Sequence, residues 1–321
     1  MSPADAYAEL VRLSREVAVL GSCSAALGWD QKTYMPKGGA GHRGEQLALL
    51  ATLTHQKATD PRIGELLASV EGSDLVADPE SDEAANVREL RHTYDRATKL
   101  PSRLVEELAR VTTAAQEVWQ VARAKNDFPS FRPHLEKILA LKREEADCVG
   151  HGGERYDALL DEYEPGATAA EVRATFAELT RELVPLIQKI TSKTRSDVLT
   201  RSFPVDRQRW FAESAAVAIG FDFHAGRLDT TTHPFCTTLG PGDIRLTTRY
   251  NPNFFNEAFF GVLHEAGHGM YEQGLPAEHF GLPVGSYCSL GIHESQSRFW
   301  ENQVGRSRPF WDHFFPRLKQ A

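Results

Sequence analysis

A chain of 321 residues, 41% hydrophobic and 25% charged, has the balance of a folded globular protein and can bury a large core, which argues against disordered, collagen-like or coiled-coil classes. A net charge of −8 argues against a nucleic-acid binder, which needs clustered Lys and Arg. No stretch supplies the roughly 18 uninterrupted apolar residues of a membrane span, and the N-terminal MSPADAYAEL lacks a secretion signal, so no membrane association and a cytoplasmic location are expected. Cys23, Cys148, Cys236 and Cys288 lie far apart without a CxxC pair, which disfavours a disulfide framework or thiolate metal site and suits small core residues.

The first predicted helix runs from Ala4 to about Gly28, with Leu10, Leu13, Val17 and Leu20 at helical spacing, and breaks at MPKGGAG. A second helix from about His42 completes an N-terminal hairpin over 1–72. The acidic SDLVADPESDEA at 73–84 reads as an exposed loop or the start of the next helix. Long helical periodicity follows over 85–126, where Pro101 starts a new helix, and another helix is expected over Phe131–Cys148. HGGERYDALL interrupts it. Thr168 and Glu171 then have the spacing of a capping box at the head of another helix. Residues 73–225 thus form a helical body.

Between Arg227 and Tyr250 the chain becomes Thr-rich, with Gly240, Pro241 and Gly242 between two β-prone runs. One small antiparallel hairpin is expected there, immediately before the helix FFNEAFFGVLHEAGHGMYEQ. The fold class is therefore mainly α with one minor sheet, read as a single domain over 1–321 whose last part, 226–321, carries the site.

His264 and His268 are four residues apart and project from one face of that helix, where two imidazoles can share one zinc ion. Glu265 follows the first histidine, close enough to take a proton from metal-bound water without being a ligand. The bland alternative is two hydrogen-bonded histidines in a helical protein. Glu294, in SLGIHESQSRFWENQ, is a candidate third ligand, although an isolated glutamate is more often a surface carboxylate. Asp243 and Arg245, read on their own, make a hairpin ion pair. His279, His293 and His313 are candidates for groups behind the ligands, with a place on a helix surface as the commoner reading for each.

HEAGH, GIHESQS, HPF at 233–235 and DIRLTTR at 243–249 resemble, in order, the signatures of the carboxypeptidase Taq family of metallocarboxypeptidases. WDQKTYMPKGGAGHRGEQ, YDALLDEYEPG and GRSRPFWDHFFPRL extend the resemblance nearly end to end. It implies a helical metallopeptidase fold with an active-site groove, Zn2+ or Co2+ held by His264, His268 and Glu294, and Glu265 as general base. It also implies that His233, Asp243, Arg245 and Thr247 line or support the groove wall, and that the protein is a homodimer acting on peptides with a free C-terminus. The family's later motifs IRxxAD and GxxQDxHW have no counterpart here, so a shortened fold is expected, without the segments thought to grip the substrate carboxylate. Arg298, Arg306, Arg308 and Tyr287 are candidate replacements. A metallocarboxypeptidase is the first functional expectation. The alternatives are a catalytically impaired metal-binding module for peptides or partners, and an internally cutting helical oligopeptidase.

Overall fold

The computed structural model describes residues 1–150, 152–190 and 200–320. The chain begins with a 31-residue helix, α1 (Pro3–Thr33), started by a Ser2–Asp5 capping box. It continues through α2 (Ala40–Ala58), α3 (Pro61–Val70), α4 (Asp82–Thr98), α5 (Ser102–Lys125), α6 (Phe128–Val149), α7 (Arg155–Leu160), α8 (Ala169–Lys189) and α9 (Val205–Ile219). A sheet of β1 (Gly226–Thr230), β2 (Cys236–Gly240) and β3 (Asp243–Thr248) follows, and then α10 (Phe255–Gln273). The described chain closes with α11 (Leu290–Arg298), a π-helical turn at Phe299–Val304, and α12 (Arg308–Leu318).

The helical majority and minor sheet agree with the sequence, with local differences. α1 continues five residues past Gly28 because its last turns are held by tertiary contacts: Trp29 and Gln31 are buried, and Gln31 donates to the Thr113 carbonyl at 3.1 Å. α6 starts at Phe128, three residues early, because the Asp127 side chain accepts from the Ser130 amide. The stretch 73–84 forms a 3-10 turn at Asp74–Val76 before α4, which Ser81 caps. In the HGGERYDALL interruption, the short α7 forms after the paired glycines, while His151 lies outside the described residues. Thr168 and Glu171 do form a reciprocal capping box. Cys23 and Cys288 are exposed rather than core residues, since their positions on the outer side of α1 and in the loop before α11 leave them uncovered.

The sheet corrects the single-hairpin expectation. β2 and β3 do form the antiparallel hairpin, turning through Gly242 at φ 81, a left-handed conformation that glycine adopts without steric cost. β1, however, pairs parallel to β3 on its other edge, giving the order β1-β3-β2. The residues after β1 carry the chain past the end of β3, and the Thr231 amide bonds the Thr248 carbonyl as they do so.

Two cores result. A small one joins Ala6 and Leu10 of α1 to Ile63, Leu66, Leu67 and Val70 of α3 and Val87 of α4. The larger one is aromatic: Phe211 of α9 stacks on Phe259 of α10 at 5.0 Å, Phe259 on Phe255 at 5.2 Å, and Phe310 on Phe314 of α12 at 4.3 Å. Such burial and ring geometry fix α10 between the sheet, α9, α11 and α12. α8 behaves differently. Its apolar residues Phe176, Leu179, Leu183, Leu186 and Ile187 recur at helical spacing, yet each is 41–59% exposed.

Candidate metal centre

α10 supplies three of the predicted residues from one stretch. Its buried side, Phe255, Phe259, Val262, Leu263 and Ala266, locks the helix into the aromatic core, which fixes the direction of His264 and His268 on the remaining face. Glu294 arrives from α11. The two helices approach closely because position 267 is glycine: a Cβ there would lie 2.7 Å from both the Gln296 carbonyl oxygen and Ser297 Cα.

His264 Nε2 lies 3.5 Å and His268 Nε2 lies 3.2 Å from the same oxygen, Glu294 Oε2. Among the described residues, these three form the one group of His, Cys, Asp or Glu whose potential ligand atoms all lie within 4.8 Å of one another. The opposite ring nitrogens are already committed. His264 Nδ1 meets Glu301 Oε2 at 3.0 Å, and His268 Nδ1 meets His293 Nδ1 at 2.5 Å. With both distal nitrogens so engaged, the Nε2 lone pairs and one carboxylate oxygen are available together, a two-nitrogen, one-oxygen donor set that fits a divalent ion with a position left open.

Electrostatics suit the same use. Burial lowers the His268 pKa to about 4, reinforced by His293 and His264, so the ring is neutral as a ligand must be. Burial raises Glu294, but hydrogen bonds from Ser297 and Arg298 outweigh it and leave the carboxyl below its ordinary value. Glu265 is 6% exposed, and its pKa is raised to about 8 by burial, then by Glu294 and Glu301; the Cys236 backbone works in the opposite direction. A bound cation would oppose that rise.

The remaining predicted residues form a second layer. Arg245 makes a bidentate pair with Asp243, both bonds 2.8 Å, and its guanidinium lies 4.2 Å over the ring of Trp29 from α1. The Thr247 hydroxyl accepts from the Phe235 amide at 2.8 Å and lies 2.9 Å from the Phe235 carbonyl, which ties the HPF segment to β3. His233 is exposed, with its ring edge-on to Trp119 of α5 at 6.4 Å. Of these four, Arg245, held by Asp243, and His233 reach the N-terminal helices through Trp29 and Trp119, while Thr247 ties the segment before β2 to β3.

His293 is not a surface residue: its side chain is 13% exposed and stands between His268 and Glu272. The reason is its position beside Glu294 on a helix packed against α10. His279 lies near Asp82 at 3.7 Å, and His313 packs edge-on against Phe314. Glu301 and Glu272 were not singled out from sequence, although the spacing carried a signal: Glu301 is seven residues after Glu294 and Glu272 four after His268. Arg298 and Arg306, candidate grips for a substrate carboxylate, are engaged by Glu294 and Glu301 and by Glu301, at 2.8, 3.3 and 2.9 Å respectively. Arg308 pairs with Asp312, and Tyr287 is 47% exposed.

Fold and site together define a helical protein with an H-E-x-x-H helix and a glutamate from the next helix, the arrangement of a metallopeptidase. The chain belongs to the Carboxypeptidase Taq (M32) metallopeptidase family, whose pattern matches residues 9–321. It is 50% identical over 333 residues to thermostable carboxypeptidase 1 of Thermus thermophilus, an alignment covering 100% of this chain and 65% of that protein. Carboxypeptidase 1 of Bacillus subtilis is 34% identical over 316 residues, covering 98% of this chain and 63% of the relative. The crystal structure of M32 carboxypeptidase from Deinococcus radiodurans R1 superposes with a TM-score of 0.87 at 40% identity, covering 98% of this chain and 63% of that one. The chain thus spans less than two thirds of these relatives' length. Among the described residues, no helix is long and apolar enough to cross a membrane.

Proposed function

We propose that the protein is a zinc-dependent metallocarboxypeptidase that releases C-terminal amino acids from peptides. The observation that carries this reading is the convergence of His264 Nε2 and His268 Nε2 on Glu294 Oε2 beside the buried Glu265. His264, His268 and Glu294 would hold the ion, with cobalt as a substitute, and a bound ion supplies Lewis acidity that acidifies water and polarises the scissile carbonyl. Glu265 takes the proton from the attacking water and passes it to the leaving amine. Burial makes that carboxylate a stronger base than an ordinary glutamate, while the charge of a bound cation would keep it ionised for the first half of the task. Asp243, Arg245, Thr247 and His233 support the groove wall indirectly, by fixing β2, whose Cys236 backbone faces Glu265.

The test incubates zinc- and cobalt-loaded protein with free and C-terminally amidated peptides, read by mass spectrometry, with Glu265→Gln as control. Stepwise shortening of free peptides alone, reduced by about 10²–10⁴ in the variant with metal content unchanged, is the expected result. Full activity of Glu265→Gln removes its role as base, and cleavage of amidated peptides removes strict carboxypeptidase action. Metal binding without cleavage turns the protein into a metal-bearing binding module. The same reading includes a cytoplasmic homodimer, supported by the bare apolar row of α8, since patches of that kind usually find a partner. A light-scattering mass equal to one chain would remove the dimer.

A further inference from the structure

The hydrogen bonds behind His268 run through a neighbour that is neither a ligand nor a base. His268 Nδ1 meets His293 Nδ1 at 2.5 Å, so one ring donates and the other accepts. His293 Nε2 lies 2.8 Å from Glu272 Oε1, and an ionised carboxylate only accepts. A neutral His293 therefore carries its proton on Nε2 and presents a lone pair at Nδ1. His268 must then donate from Nδ1, which leaves its Nε2, the atom facing Glu294, free of a proton. The second oxygen of Glu272 accepts from the Thr238 hydroxyl of β2 at 2.8 Å, so the end of the chain is anchored to the sheet. The rings of Tyr271 and Tyr287 stand edge-on to His293 at 5.2 and 5.0 Å and hold its plane.

We infer that Glu272 and His293 form a positioning relay, anchored by Thr238, that sets the tautomer of His268 and thereby makes its Nε2 available to the metal. The inference rests on the metal-centre reading of the site. It separates the two histidines of the motif: His264 is held directly by a carboxylate, whereas His268 is held by a carboxylate acting through an intervening imidazole. Glu272, two hydrogen bonds from the ligand ring, then controls metal binding without touching metal or peptide.

Two substitutions at that position separate proton ordering from packing. Glu272→Gln keeps an acceptor, because its carbonyl takes the His293 Nε2 proton while its amide donates to the Thr238 hydroxyl. Glu272→Met has a similar length and no strong acceptor. Zinc affinity, measured by chelator competition, should fall about 10- to 100-fold in Glu272→Met and stay close to wild type in Glu272→Gln. In metal-free wild-type protein, ring 15N shifts should place the His268 proton on Nδ1 and the His293 proton on Nε2, with mixed tautomers in Glu272→Met. Equal zinc affinity in the two variants, or a His268 proton on Nε2 in the wild type, overturns the relay. If wild-type protein binds no zinc, the metal reading fails separately, and the 15N spectra alone decide the proton order.

Discussion

A methyl group at Gly267 should cost this protein metal affinity as well as stability. The added Cβ would lie 2.7 Å from two backbone positions of α11, 0.7 Å short of the 3.4 Å at which ordinary contact begins. Neither neighbour is the end of a flexible side chain, so the helices must separate. Overpacking of this kind costs about 1–3 kcal/mol, offset by about 1 kcal/mol because alanine favours helix over glycine. The loss of stability should therefore stay below about 2 kcal/mol in a urea titration. α11 carries Glu294, and metal sites tolerate ligand displacements of about 0.2 Å, so a retreat several times larger should weaken zinc binding at least about tenfold. Gly261→Ala, on the same helix, is the control: its Cβ meets only the Thr248 hydroxyl, at an ordinary 3.7 Å, and this variant should bind zinc as the wild type does. Wild-type zinc affinity in Gly267→Ala would refute the claim that close helix approach sets the third donor.

Glu301→Ala removes the acceptor behind His264 and should lower zinc affinity about 10- to 100-fold in the same chelator competition. Phe259→Ala opens a cavity among Phe211, Phe255 and Phe310 and should cost about 3–5 kcal/mol in urea unfolding; a loss under 1 kcal/mol would mean the aromatic core collapses around the gap. Burial pushes the Asp229 carboxyl up, but hydrogen bonds from Arg227 and Tyr34 more than reverse this, leaving it below its ordinary 3.8. A carboxyl lowered on folding stabilises above its unfolded value and loses that contribution as pH falls through the folded one, so melting temperature should drop below about pH 4, less steeply in Asp229→Asn.

What the sequence revealed, and what it hid, follows from the range of each signal. Periodicity and caps are local, so the α10 helix, the Thr168–Glu171 box and the β2–β3 turn could be read directly. The pairing of Asp243 with Arg245 was also legible, because residues two apart on a strand share a face. Neighbour choice is not local. The single hairpin expected from sequence left out the third strand, β1, because its parallel place on the far edge of β3 is set by tertiary contact and not by a turn. The α8 stripe shows the same limit from the other side: its spacing names the face that would be buried and says nothing of what covers it.

The site divides in the same way. His264, Glu265 and His268 fall on one turn of one helix, whereas Glu294 owes its place to a crossing that only Gly267 permits, and glycine in HEAGH does not announce which backbone it admits. His293 is the sharpest case. Adjacent helical residues point about 100° apart, so a histidine next to a candidate ligand would ordinarily face away from it. Here α11 lies so close to α10 that both directions meet the same helix: Glu294 reaches the Nε2 side of His268 and His293 its Nδ1 side. One glycine thus decides two contacts on opposite edges of one imidazole, and a sequence pattern that scores residues singly has no way to weigh it.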